Sequence, residues 1–109
     1  GKIRGVFHCF SGGKKQINRA LRLGEFYFGL GGSITYNRSA TDPVVKNIPM
    51  DRILLETDAP YLTPSSKKGQ KNEPGFLLEV AQTVSEIKGV SLNELAVLTS
   101  ANAEKLFGA

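Results

Sequence analysis

Cysteine occurs once among the 109 residues, at Cys9, so no disulfide can form within the chain. A reducing compartment, the cytoplasm, is the simplest expectation. Tryptophan is absent, and histidine also occurs once, at His8. One imidazole cannot by itself make a metal site, which needs three or four ligands. No apolar run approaches the ~18 residues of a membrane span. The opening Gly1-Lys2-Ile3-Arg4 leads into no signal-peptide core, so no membrane association is expected. Neither Gly-x-Gly-x-x-Gly nor a P-loop is present. Gly29-Leu30-Gly31-Gly32 is rich in glycine but lacks their spacing and lysine, which disfavours a nucleotide cofactor.

What is present suits one globular domain spanning 1–109. Apolar residues make up 40% and charged residues 22%, enough for a modest core and unlike a disordered chain. The net charge of +4 permits an anionic partner such as nucleic acid without requiring one. The basic residues are scattered, with Lys67, Lys68 and Lys71 the tightest group.

Hydrophobic spacing divides the chain into alternating elements. Ile3 to Phe7 is a short apolar run, and Ser11-Gly12-Gly13 a turn. Ile17, Ala20 and Leu21 give helical spacing over Lys14 to Leu23, with Gly24 as its C-cap glycine. Phe26 to Leu30 reads as a second strand. Thr41 caps a short helix with Asp42 and Pro43 in its first turn. Ile53-Leu54-Leu55 suits a strand buried on both faces. Ala59 to Pro74 has no periodicity and reads as a long functional loop. Leu77, Val80, Ala81, Val84 and Ile87 line a helix that Gly89 stops. Ser91 and Glu94 form a capping box for the next helix, with Leu92, Leu95, Ala96 and Leu98 as its apolar face. Ser100 to Phe107 is read as one further short helix. The alternation predicts an α/β fold with a parallel sheet and right-handed crossovers. Three strands leave both sheet edges open, so further strands are expected from a partner or from a missing part of the protein.

In parallel α/β folds, chemistry collects at the carboxyl ends of strands. The first strand ends in His8-Cys9-Phe10-Ser11-Gly12 and the third in Glu56-Thr57-Asp58-Ala59-Pro60. Imidazole and carboxylate at two such ends are candidate metal ligands. A cap or core hydrogen bond suits His8 equally on position alone, and Asp58 before Ala59-Pro60 suits a turn. Cys9, one residue from His8, is expected to point to the opposite face and pack.

The segments Phe7-His8-Cys9-Phe10-Ser11-Gly12, Leu54-Leu55-Glu56-Thr57-Asp58-Ala59-Pro60-Tyr61-Leu62, Asn72-Glu73-Pro74 and Asn102-Ala103-Glu104-Lys105-Leu106-Phe107-Gly108 together resemble the TatD family of metal-dependent deoxyribonucleases. The resemblance runs over essentially the whole chain. It implies the C-terminal part of a TIM-like (β/α)8 barrel of the amidohydrolase superfamily, with these as strands six to eight. It implies His8 as the sixth-strand metal ligand and Asp58 as the eighth-strand ligand and catalytic residue, orienting or deprotonating the attacking water. It further implies one or two divalent ions (Mg, Mn or Zn) and a DNA substrate. Glu56 is then a supporting carboxylate two residues before Asp58. Asn72 and Glu73 lie in the loop over the site as supporting or substrate-contacting residues. Tyr61 and the three loop lysines are candidate DNA contacts, although solvated lysines are the more ordinary reading.

The family's His-x-His pair, bridging Glu and fifth-strand His are absent. In the family pattern His8 and Asp58 serve different ions. The isolated chain is therefore expected to be inactive, a C-terminal fragment completed by its missing N-terminal barrel half or by a copy of itself. The alternatives are a non-catalytic binding or oligomerising module, or a barrel acting on an amide or ester.

Overall fold

A computed structural model describes residues 3–56 and 74–108. The strands are β1 (Ile3–Phe7), β2 (Gly24–Leu30) and β3 (Ile53–Leu55), and the helices α1 (Lys14–Leu23), α2 (Arg38–Lys46), α3 (Pro74–Lys88) and α4 (Leu92–Phe107). Short 3-10 turns cover Gly32–Thr35 and Met50–Arg52. The sheet is wholly parallel in the order β1-β2-β3, as alternation with helices requires.

Alternation along the strands divides the sheet into two faces. Phe28, Leu30 and Ile53 belong to the core with Ile17 and Ala20 of α1, Val45 of α2, Val80, Val84 and Ile87 of α3, and Leu95 of α4. Phe10 packs edge-on against Phe28 (5.0 Å) and Phe7 (6.0 Å), closing this core beyond the carboxyl end of β1. The other face carries Arg4, Val6, Glu25, Tyr27, Gly29 and Leu54. β1 lies at an edge of this sheet, and Ile3, Phe7 and the neighbouring Leu23 are exposed.

Three boundaries differ from the expectation. Gly24 follows α1 but is extended (φ 172°), not left-handed. It opens β2, and a Cβ there would lie 2.2 Å from the carbonyl oxygen of Ile3, so close strand approach demands the glycine. Helix α2 starts a turn before Thr41: the Asn37 carbonyl accepts from the N–H groups of Ala40 and Thr41, and Arg38 Nε pairs with Asp42 at 2.6 Å. Pro43 thus lies inside the helix, where its ring removes one backbone donor. Helix α4 is continuous where two helices were expected. Thr99 and Asn102 interrupt its apolar stripe but are themselves buried. Thr99 Oγ1 donates to the Leu95 carbonyl at 3.0 Å, and Asn102 Nδ2 donates to those of Met50 and Ile53. The expected Ser91 cap is present, accepting from the Glu94 N–H at 3.1 Å.

Candidate functional site

The carboxyl end of the sheet is held by backbone bonds that outrun the strands. β1 stops at Phe7, and the chain turns through His8 and Cys9, whose φ of 49° is left-handed. Such a backbone costs a non-glycine residue about 1 kcal/mol or more. The turn is secured on the far side by the Phe10 N–H, which donates to the Gly29 carbonyl at 2.8 Å. On β3, the Glu56 N–H donates to the Leu30 carbonyl at 2.9 Å, carrying the β2–β3 pairing one residue past the strand.

Glu56 then reaches over the middle strand. Its Oε2 lies 2.5 Å from His8 Nδ1, and its Oε1 accepts from the Cys9 N–H at 2.7 Å. One carboxylate thus holds both residues of the turn. Gly29 leaves the path open, since a Cβ there would lie 1.8 Å from Glu56 Oε1. The His8 side chain is 65% exposed and that of Glu56 20% exposed.

A carboxylate on Nδ1 directs Nε2 outward as a ligand, the arrangement that orients metal-binding histidines. His8 and Glu56 therefore fit one protein ligand of a divalent ion and its support. Among the described residues no group of three or more His, Cys, Asp or Glu could hold an ion. Asp58, Asn72 and Glu73 lie outside the described residues, as do Tyr61, Lys67, Lys68 and Lys71.

Cys9 departs from expectation. It is exposed, because the strand ends before it and the left-handed turn breaks the alternation that would have buried it. Gly29 was not singled out as a site residue. Its signal was a glycine inside an apolar strand, a mark of close approach. The polar network nearer the start of the strands also went unread. Glu25 Oε2 accepts from Arg4 Nη2 at 2.8 Å and from the Tyr27 hydroxyl at 3.0 Å, and the Arg52 guanidinium lies 5.4 Å from the Tyr27 ring centre. The hydrogen bond from Arg4, reinforced by Tyr27, holds the Glu25 carboxyl below its ordinary range. Burial, then the bond to Glu25, raises the Tyr27 phenol. A cleft of about 820 Å³ runs beside β1 and α1, lined in part by Phe7, His8, Arg19, Ala20 and Leu23.

Consecutive parallel strands with helices packed on one face, and a histidine–carboxylate pair at the carboxyl edge, define an arc of an α/β barrel. The sequence model of the family described as TatD related DNase matches residues 1–108, and the chain belongs to that family. It is 39% identical to the uncharacterized metal-dependent hydrolase YabD of Bacillus subtilis, over 96% of this chain and 41% of that protein. It is 37% identical to the 3'-5' ssDNA/RNA exonuclease TatD of Citrobacter rodentium, over 94% and 41% respectively. The fold matches the crystal structure of YJJV, a TatD homolog from Escherichia coli K12, with a TM-score of 0.85 at 36% identity, covering 96% of this chain and 40% of that one. A TatD family hydrolase from Entamoeba histolytica matches with a TM-score of 0.80 at 26% identity, over 95% and 42%. The chain thus spans about two fifths of the length of these relatives, and its three strands are part of a TIM-type barrel. Among the described residues no helix is long and apolar enough to cross a membrane.

Proposed function

We propose that the chain is part of a metal-dependent hydrolase that cleaves DNA phosphodiester bonds, to which it contributes the ligands His8 and Asp58. The observation that carries this reading is the seating of His8 Nδ1 against Glu56, which turns Nε2 into the available donor at the carboxyl edge of the sheet. The relative named as an exonuclease supports a nucleic-acid substrate, and those named metal-dependent hydrolases support the use of a divalent ion, Mg, Mn or Zn. When bound, such an ion supplies Lewis-acid stabilisation and lowers the pKa of its water. The chain's own residues bind and orient: His8 binds through Nε2, Glu56 fixes the ring, and Asp58 binds and orients the attacking water. Asn72 and Glu73 are supporting or substrate-contacting residues in this reading. The compartment proposed is the cytoplasm.

The open edge of β1 and its cleft receive the remaining barrel half, which brings the other ligands. The isolated chain is therefore catalytically inert or nearly so. The test is to join the chain to the N-terminal half of a family member and assay DNA against small esters with Mg²⁺ or Mn²⁺. Metal-dependent DNA cleavage that Asp58→Ala abolishes is expected from the joined protein. Preference for an ester, or cleavage by the 109-residue chain alone that Asp58→Ala abolishes, overturns the reading. The exposed apolar residues of β1 favour one second reading, a module that associates through its edge without catalysis. A joined protein without hydrolytic activity would support it.

A further inference from the structure

Glu56 approaches His8 from two strands away, and the sheet is built to let it. β2 lies between β1 and β3, so the carboxylate must cross the middle strand. At the crossing stands Gly29, where even a methyl group would lie 1.8 Å from Oε1. Beyond it, Oε1 meets the Cys9 N–H at 2.7 Å and Oε2 meets His8 Nδ1 at 2.5 Å. The backbone donor fixes the orientation of the bridge. The Cys9 N–H anchors Oε1 and aims Oε2 at the ring, and because an ionised carboxylate has only acceptors, Oε2 accepts from the imidazole.

We infer that Glu56, seated over Gly29 and anchored by the Cys9 amide, is a positioning residue that fixes His8 as its Nδ1–H tautomer. Nε2 is thereby kept unprotonated before any ion arrives. This goes beyond the proposed function by naming the device that prepares the ligand, and it rests on that reading only for its purpose. The bridge also limits what can replace Glu56. A glutamine has one acceptor and one donor. With its oxygen on the Cys9 N–H, its amide nitrogen faces Nδ1 and selects the opposite tautomer.

Because His8 is the only histidine, a long-range ¹H–¹⁵N correlation spectrum of the ¹⁵N-histidine-labelled chain reports this one ring without assignment. It is recorded without metal at about pH 9, well above the ordinary imidazole range. The wild-type chain is expected to show Nδ1 as the protonated nitrogen and Nε2 as the unprotonated one. Glu56→Gln is expected to invert that pattern. Gly29→Ala, which displaces the carboxylate without removing it, is expected to abolish the Nδ1–H preference while the circular dichroism spectrum stays that of a folded chain. A wild-type ring that is mainly Nε2–H, or a pattern unmoved by Glu56→Gln, overturns the inference. If Gly29→Ala unfolds the chain, the glutamine variant still decides. Adding Zn²⁺ to the wild-type sample then tests the functional reading separately. An Nε2 resonance that ignores the ion sinks His8 as a ligand and leaves the tautomer result standing.

Discussion

The side-chain amide of Asn102, on the last helix, donates to the carbonyl of Ile53 at 2.8 Å and to that of Met50 at 2.9 Å. The C-terminal helix therefore grips the start of the strand that delivers Glu56. Asn102 is buried, so its removal leaves polar groups with no water to replace it. Asn102→Ala is expected to lower unfolding stability by about 2 kcal/mol or more, read from urea denaturation. Asn102→Asp should be at least as damaging, since a carboxylate cannot donate to either carbonyl.

Acid is expected to weaken the fold through Glu25. Hydrogen bonds from Arg4 and then Tyr27 lower its pKa below the ordinary 4.5. A depressed carboxyl contributes stability that is full above pH 4.5 and is lost as pH falls through the folded-state value. The urea midpoint of the wild type should exceed that of Glu25→Gln above this pH, and the gap should close on acidification below it. A gap that does not change with pH would show that the carboxylate adds nothing beyond its shape.

Lys88 gives a slope of the same sign at the other end of the scale. Its amino group donates to the Lys46 carbonyl at 2.9 Å and to that of Ile48, closing the end of α2. Burial lowers its pKa from 10.5. The unfolded chain therefore holds the proton to higher pH than the folded one, and stability rises with pH between the folded-state value and 10.5. Lys88→Met should be less stable at neutral pH, because two carbonyls lose their donor, and should lack this alkaline rise. Paired urea titrations across the window measure both effects.

Much of this was legible in the sequence because it rests on local pattern. Ile3 to Phe7, Ile53 to Leu55 and the Val80-Val84-Ile87 stripe announce their elements through spacing alone, and Ser91 with Glu94 announces a cap. The failures share a cause: a polar group whose partner is distant in sequence. Asn102 is only a polar residue inside an expected helix until Met50 and Ile53 are brought to it. Gly24 looks like a helix stop until Ile3 lies beside it. His8 and Glu56 stand 48 residues apart, so nothing local signals their contact, nor that Gly29 must stay small between them. The family resemblance reached His8 and Glu56, but the bridge itself belongs to the folded sheet.

The open edge of β1 should show itself as association. Ile3 is 58% and Leu23 59% exposed, an apolar margin at the strand that forms the edge of the sheet among the described residues. The isolated chain is expected to sediment above its monomer mass at high concentration. Ile3→Lys and Leu23→Lys should shift it toward the monomer with changes in stability within about 0.5 kcal/mol, as for most exposed positions. A monodisperse wild-type monomer would mean that the edge is shielded in some other way.

Whether His8 and Asp58 share an ion can be decided without an assay. If each serves its own ion, as the family pattern implies, each offers the isolated chain one protein ligand per metal, and binding is weak. The response of the His8 ring to added Zn²⁺ should then be unchanged by Asp58→Asn, because that carboxylate belongs to the other ion. If the two residues close on one ion instead, losing Asp58 removes half of its protein ligands. The zinc concentration needed to perturb His8 must then rise about tenfold, the loss expected for about 1.4 kcal/mol of binding free energy. We expect no such rise. A tenfold weakening would place both residues on one metal and require the activated water to sit between them.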